Sequence, residues 1–444
     1  MVQFKPFDPE FLQRPYPTYA ALREEDPVHR VRFGAGAVAK MVGSAVRERI
    51  RQSDKGVIAT LRDLNMERKA QQSGSGAGFS RRTRFYAVSR HEDVSYALRH
   101  AELFSSAPMG GAEAKPMNAE GDLSPTAGSL IGVDPPEHGR HRGIVSRGFT
   151  PRRIAELEPK LRKMAEELVA AFEHRGECEL MDEFANPFPV SVIAELMGLD
   201  PARRDDFKRW STALIVGSTQ GNRQQVPRLQ MFREFRGYLA SVVEERKRDP
   251  GDDLISILVH AGEGEGVLDT QQVVSFAGLL LAAGSETTTN LVGNAMAALA
   301  ENPETLERVR ADRSLVPQLV EESLRFDSPV QMLMRLTTED VELGGQEIAK
   351  GSMVMLLLGS ANRDEGRFEN ADRFDIDRDT NGHVAFGFGN HFCLGASLAR
   401  LEGRIALETL IDRLPDYEIT APVEVHGSFL IRGPAALPLR FRAA

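Results

Sequence analysis

Hydrophobic positions along the chain recur mostly at helical spacing, and only briefly at strand spacing. The pattern predicts a short helix over about 16–24, followed by an extended run from Val28 to Phe33. Residues 84–100 read as a strand and then a helix opened by Ser89. From Asp134 to Asp249 the spacing is helical, with breaks expected at Pro151, at Pro187 and Pro189, from Gly198 to Pro201, and at Pro227. A long apolar helix should start at Asp269-Thr270, where Gln272 stands at capping-box spacing, and run to about Ala300. At ~30 residues it would be ~45 Å long. Helices from Pro303 and over 315–327 give way after Pro329 to short strand-like runs. Residues 361–392 look irregular, a last helix is expected from about Gly395 to Leu414, and strand-like segments close the chain. Residues 104–133 are rich in Gly, Pro, Ser and Ala, and a loop that long in a compact domain is functional or unstructured. The fold class expected is one large, mainly α domain with minor β.

One segment stands apart. Residues 34–84 hold eleven basic and four acidic residues, a net of +7 on a chain of net −9, which leaves −16 for the rest. Val38, Met41, Val42, Ala45, Val46 and Ile50 share one helical face, and SGSGAG (73–78) reads as a linker. The flanking runs look like two strands of one hairpin, so the segment reads as a basic helical insertion in place of a β-turn. It would pack as a cap near a binding entrance, on a second copy, on an acidic partner or on a membrane surface. The overall acidity excludes nucleic-acid binding as the main role. Two cysteines, Cys178 and Cys393, exclude a disulfide scaffold and favour a reducing compartment. The N-terminal residues resemble no signal peptide, and no apolar run approaches the ~20 residues of a membrane span, so a cytoplasmic location is expected.

Three motifs carry chemistry. In Phe386-Gly387-Phe388-Gly389-Asn390-His391-Phe392-Cys393-Leu394-Gly395, glycines permit a tight loop whose N–H groups can face the sulfur. The helix beginning behind Gly395 would aim its positive end at the same atom, and both effects favour thiolate, as nucleophile or metal ligand. Ala283-Gly284-Ser285-Glu286-Thr287-Thr288 places a glycine, hydroxyls and a carboxylate inside the long apolar helix, where each is costly without a role. Glu322-Ser323-Leu324-Arg325 sets an acid and a base at i, i+3, a spacing also common in plain surface pairs.

Together these motifs resemble the cytochrome P-450 family. The Cys393 loop matches its haem-binding signature, Ala283 to Thr288 its oxygen-activation motif, and Glu322 to Arg325 its Glu-x-x-Arg pair. Asp372-Arg373-Phe374 resembles the segment that completes the pair's ion network. Asp134 to His138 with Arg142, and the ending from Arg432 to Arg442, resemble the bacterial soluble branch. The resemblance covers nearly all of 1–444 except the insertion at about 34–84.

The resemblance implies a haem-thiolate monooxygenase of secondary metabolism. Cys393 would be the axial ligand of iron in haem b (iron protoporphyrin IX), with Phe386 beside its sulfur. His138, Arg142, Arg335 and His391 would hold the haem propionates. Ala283 and Gly284 would border the oxygen site, Thr287 would hydrogen-bond dioxygen, and Glu286 would relay protons. Glu322, Arg325 and Arg373 would form the structural ion network. One oxygen atom from O2 would enter a mid-sized, largely apolar substrate such as a polyketide, terpenoid or fatty acid, by hydroxylation or epoxidation. Leu280, Ala283, Val330, Met332, Leu333, Phe429 and Leu430 would touch it, with Gln331 and Ser428 as polar handles. The sequence holds no nucleotide-binding glycine signature, so NAD(P)H-derived electrons would arrive through a ferredoxin or flavodoxin with its reductase. That partner would dock where Arg140, Arg147, Arg400 and Arg404 supply positive charge. The alternatives are a peroxide-driven peroxygenase or other chemistry on the same haem, a hydrolase using Cys393 with His391, and a non-catalytic haem sensor.

Overall fold

The computed structural model describes residues 2–32, 84–109, 130–203, 206–207, 209–210, 225–260 and 268–443. The basic insertion, apart from Arg84, and most of the 105–130 loop lie outside the described residues. Helix dominates, as the periodicity predicts. The central helix, Thr270–Glu301, opens with a capping box: Asp269 accepts from the Gln272 N–H at 2.7 Å, and Gln272 accepts from the Asp269 N–H at 2.9 Å. Among the described residues, no helix is long and apolar enough to cross a membrane.

Proline marks beginnings more than breaks. Pro151 and Pro187 each occupy the first position of a helix, where the missing N–H costs nothing. Pro227 lies in the first turn of Gln225–Arg248 and does not interrupt it. Ser89 does not cap the helix His91–Arg99: its hydroxyl donates to the Pro27 carbonyl. The His91 N–H is satisfied by Asp364, 273 residues away, at 2.7 Å, a cap that local sequence cannot reveal.

Five strands form the main sheet: β1 (Val28–Val31), β2 (Phe85–Val88), β3 (Phe104–Ser105), β4 (Leu333–Thr337) and β5 (Met353–Leu356), in the order β1-β2-β5-β4-β3. β1 and β2 pair antiparallel from Val28↔Val88 to Val31↔Phe85, so the runs on either side of the basic segment are paired as expected. β4 runs antiparallel to β5, with Arg335 opposite Val354. Strand pleating sends alternate residues to opposite faces. Leu333 and Arg335 therefore line the cavity described next, while Met332 joins Tyr19, Leu22, Met355 and Leu357 in a separate N-terminal cluster. The cavity described next lies between the core around the central helix and the cluster on the sheet.

Candidate functional site

The cysteine loop is built as its glycines suggest. Gly387 and Gly389 hold φ of 69° and 68°, and a Cβ on Gly389 would fall 2.5 Å from the Leu98 carbonyl oxygen. The Cys393 N–H donates to the Phe386 carbonyl at 2.9 Å, and the helix Ala396–Arg413 starts immediately behind. Burial pushes the Cys393 thiol up, and the Gly395 N–H, Arg142 and Arg400 pull it back only in part. The loop alone was expected to favour thiolate. In the protein desolvation outweighs its donors, so the thiolate state calls for a cation at the sulfur.

His138, Arg142, Arg335 and His391 come together on the same cavity from three elements: a helix (Glu137–Val145), β4 and the cysteine loop. Nε2 of His138 and Nε2 of His391 are buried without a hydrogen-bond partner, and the two rings lie 4.2 Å apart. His391 is pushed down to about 3, first by burial and then by His138, Arg335 and Arg142. Burial lowers Arg335 to about 10, against the pull of Asp134. That carboxylate is itself engaged by the Ser105 hydroxyl at 2.5 Å and the Ser106 N–H at 2.8 Å. Two orphaned imidazole nitrogens beside two guanidinium groups make a site short of negative charge. It suits a ligand carrying paired carboxylates, as haem does.

Across the cavity the central helix presents Ala283, Gly284, Thr287 and Thr288. Thr287 Oγ1 donates to the Ala283 carbonyl at 2.7 Å. A Cβ at Gly284 would sit 2.9 Å from Ile193 Cδ1, so glycine lets the helix Pro187–Leu196 approach there. Glu286 is half-buried and is not among the lining residues. Much of the remaining wall is apolar, with Leu130, Ile131, Phe276, Leu280, Val330 and Leu333. Leu280, Ala283, Val330 and Leu333, expected to touch a substrate, line this cavity. Met332, Phe429 and Leu430 do not, because the pleat and the C-terminal turn direct them to the N-terminal cluster, where Phe429 meets Phe7 edge-on at 4.8 Å. Gln331 is used by the fold, donating to the Ser328 carbonyl at 2.8 Å and accepting from Tyr19 at 3.2 Å.

Glu322 and Arg325 are both fully buried and bond through two contacts, at 2.7 and 2.8 Å. Arg325 also donates to the carbonyls of Asn362, Ala371 and Arg373. Arg373 gives only its backbone, since its side chain is exposed; the second cation near Glu322 is Arg378, at 3.5 Å. The carbonyls of Glu369, Asn370 and Arg373 hold Arg378, so the network is completed five positions later than the motif implied. Of the four arginines expected on a docking face, Arg400 is paired to Glu321, and Arg404 to Glu158 and Glu408.

Two carboxylates were missed. Glu402, on the helix behind the cysteine, lines the cavity and is fully buried; desolvation raises its pKa well above the ordinary range, against a hydrogen bond from Thr288, and Oε2 has no partner. Glu321 sits beside Glu322 but faces Arg400 and His383. Glu402 follows Cys393 by nine residues on the apolar face of a helix, a signal that helical spacing alone offers.

The sequence model of the cytochrome P450 family matches residues 223–415. The chain is 41% identical over 368 residues to cytochrome P450 107B1 of Saccharopolyspora erythraea, covering 80% of this chain and 89% of that one. It is similar to the solved structure of the bacillaene polyketide synthase cytochrome P450 PksS of Bacillus subtilis, with TM-score 0.81 and 30% identity over 99% of this chain and all of that one. The structure of CYP109Q5 from Chondromyces apiculatus is similar too, with TM-score 0.79 and 38% identity over 100% and 99% of the two chains.

Proposed function

The chain belongs to the cytochrome P450 family and is a monooxygenase of it, and on that premise we propose that it inserts one oxygen atom from O2 into a mid-sized, largely apolar secondary metabolite. When bound, haem supplies an iron centre for dioxygen activation by electrons delivered one at a time. Cys393 would hold the iron through its sulfur, with the Gly395 N–H tempering the charge on it. His138, Arg142, Arg335 and His391 would take the propionates. Thr287 keeps a hydroxyl at the cavity wall, held by the Ala283 carbonyl, and rotation of that hydroxyl would free its proton for the cavity. Glu286, one residue away, would pass protons to it. The apolar wall excludes water and orients substrate by shape. The observation that carries this reading is the single cavity shared by Cys393, the four basic residues and Thr287.

The substrate class rests on the apolar lining and on relatives whose names include a polyketide biosynthesis cytochrome P450 and a cyclomarin C epoxidase. Electrons would come from a ferredoxin or flavodoxin with its reductase. The test is turnover of a polyketide panel with NAD(P)H, a surrogate ferredoxin pair and 18O2. Product one labelled oxygen heavier supports the reading. Label appearing only when hydrogen peroxide carries it would make the chain a peroxygenase.

A further inference from the structure

Glu321 and Glu322 are neighbours in sequence, yet they serve two networks. A helix turns ~100° per residue. Glu322 therefore faces Arg325, while Glu321 faces Arg400 and His383. Arg400 donates to Glu321 twice, Nε to Oε1 at 2.6 Å and its terminal nitrogen to Oε2 at 2.8 Å. His383 adds a third bond, Nε2 to Oε2 at 3.0 Å, while its Nδ1 accepts from the Ala385 N–H at 3.2 Å. With Nδ1 accepting, Nε2 is the nitrogen that donates to Glu321. Burial would push Glu321 up, but Arg400 and His383 bring it down to about 2, so it is a carboxylate at neutral pH.

The pair does not end at the carboxylate. Arg400 lies in the first turns of the helix behind Cys393, and helical side chains lean toward the N-terminus. Its guanidinium carbon stands 4.6 Å from the centroid of the Phe386 ring, whose His383 neighbour is 6.0 Å away. Phe386 in turn lines the cavity beside Cys393. A cation is thus fixed over the ring of Phe386, which lines the cavity with Cys393, and a carboxylate is fixed on that cation.

We propose that Arg400, held by Glu321 and His383, is a positioning residue that sets the reduction potential of the iron bound to Cys393, rather than a contact for the redox partner. The inference rests on Cys393 being the iron ligand. A cation near the centre favours the reduced iron, and its carboxylate offsets that effect. The two members of the pair therefore act with opposite sign.

The experiment is an anaerobic dye-linked redox titration of haem-loaded protein, with the reduced carbon monoxide spectrum recorded on each variant. Arg400→Met is expected to lower the potential, weakening the reduction equilibrium about tenfold, which for one electron is about 59 mV. Glu321→Gln is expected to raise it, and the double variant to return close to wild type. Single shifts of the same sign, or no cancellation in the double variant, would overturn the proposal, since loss of packing alone moves both in one direction. An unchanged potential with a higher ferredoxin requirement would also overturn it and restore the docking role. Should Arg400→Met take up no haem, Arg400→Lys keeps the wild-type potential and Arg400→Gln lowers it. A thiolate-type carbon monoxide band in wild type separates this test from the reading beneath it: with the band present and the potential fixed, only the inference fails, and without the band the assignment of Cys393 fails first.

Discussion

Thr287 illustrates how a common helix contact becomes a mechanistic group by its address. A threonine that bonds the carbonyl four residues back is ordinary in helices. Here that hydroxyl faces the cavity shared with Cys393. Thr287→Ala should keep haem and substrate binding while product per NAD(P)H falls several-fold and hydrogen peroxide rises; unchanged coupling would remove Thr287 from proton delivery. Glu402 gives a second prediction. Its folded pKa lies above the ordinary 4.5, so the folded state holds the proton more tightly than the unfolded chain. Stability is then lost as pH rises above about 4.5 toward the folded value. Glu402→Gln removes that loss, so its gain in melting temperature over wild type should be small near pH 4.5 and grow toward pH 7.5. A gain independent of pH would contradict a protonated Glu402. At this scale the sequence shows residues that sit inside a motif, such as Cys393. It hides Glu402 and Glu321, whose meaning lies in what burial and distant partners do to them. It also misdirects at Arg373, because only the folded loop shows which arginine meets Glu322.

Elements were more legible than their partners. The capping box at Asp269, the helix behind Gly395 and the β1–β2 hairpin follow from local pattern. The cap at His91 and the strand order do not, since both depend on residues hundreds of positions away. Glu322→Ala would strand the buried Arg325 guanidinium, at a cost of ~3–5 kcal/mol. Little folded, haem-loaded protein should be recovered, whereas a soluble, fully loaded variant would show the pair to be dispensable. The hairpin supports a prediction about the insertion. Val31 pairs with Phe85, so the register admits a two-residue turn in place of 33–83. An Asn-Gly replacement should preserve haem uptake and the thiolate spectrum while changing substrate affinity or oligomeric state, read by titration and light scattering. Failure to hold haem would make the segment part of the core.

In the whole molecule, residues far apart in sequence converge on one place. The cysteine loop, the basic residues and the central-helix face are drawn from positions 138 to 395, and folding brings them to one cavity between two hydrophobic clusters. Each motif alone has an ordinary structural explanation; their shared cavity does not. The most direct test is the carbon monoxide difference spectrum of the reduced, haem-loaded protein, wild type beside Cys393→Ser. Wild type should show the thiolate-type band, and Cys393→Ser should remain folded while losing both that band and oxygenation. A wild-type protein that binds no haem, or a Cys393→Ser variant that keeps the thiolate band, would contradict the assignment of Cys393.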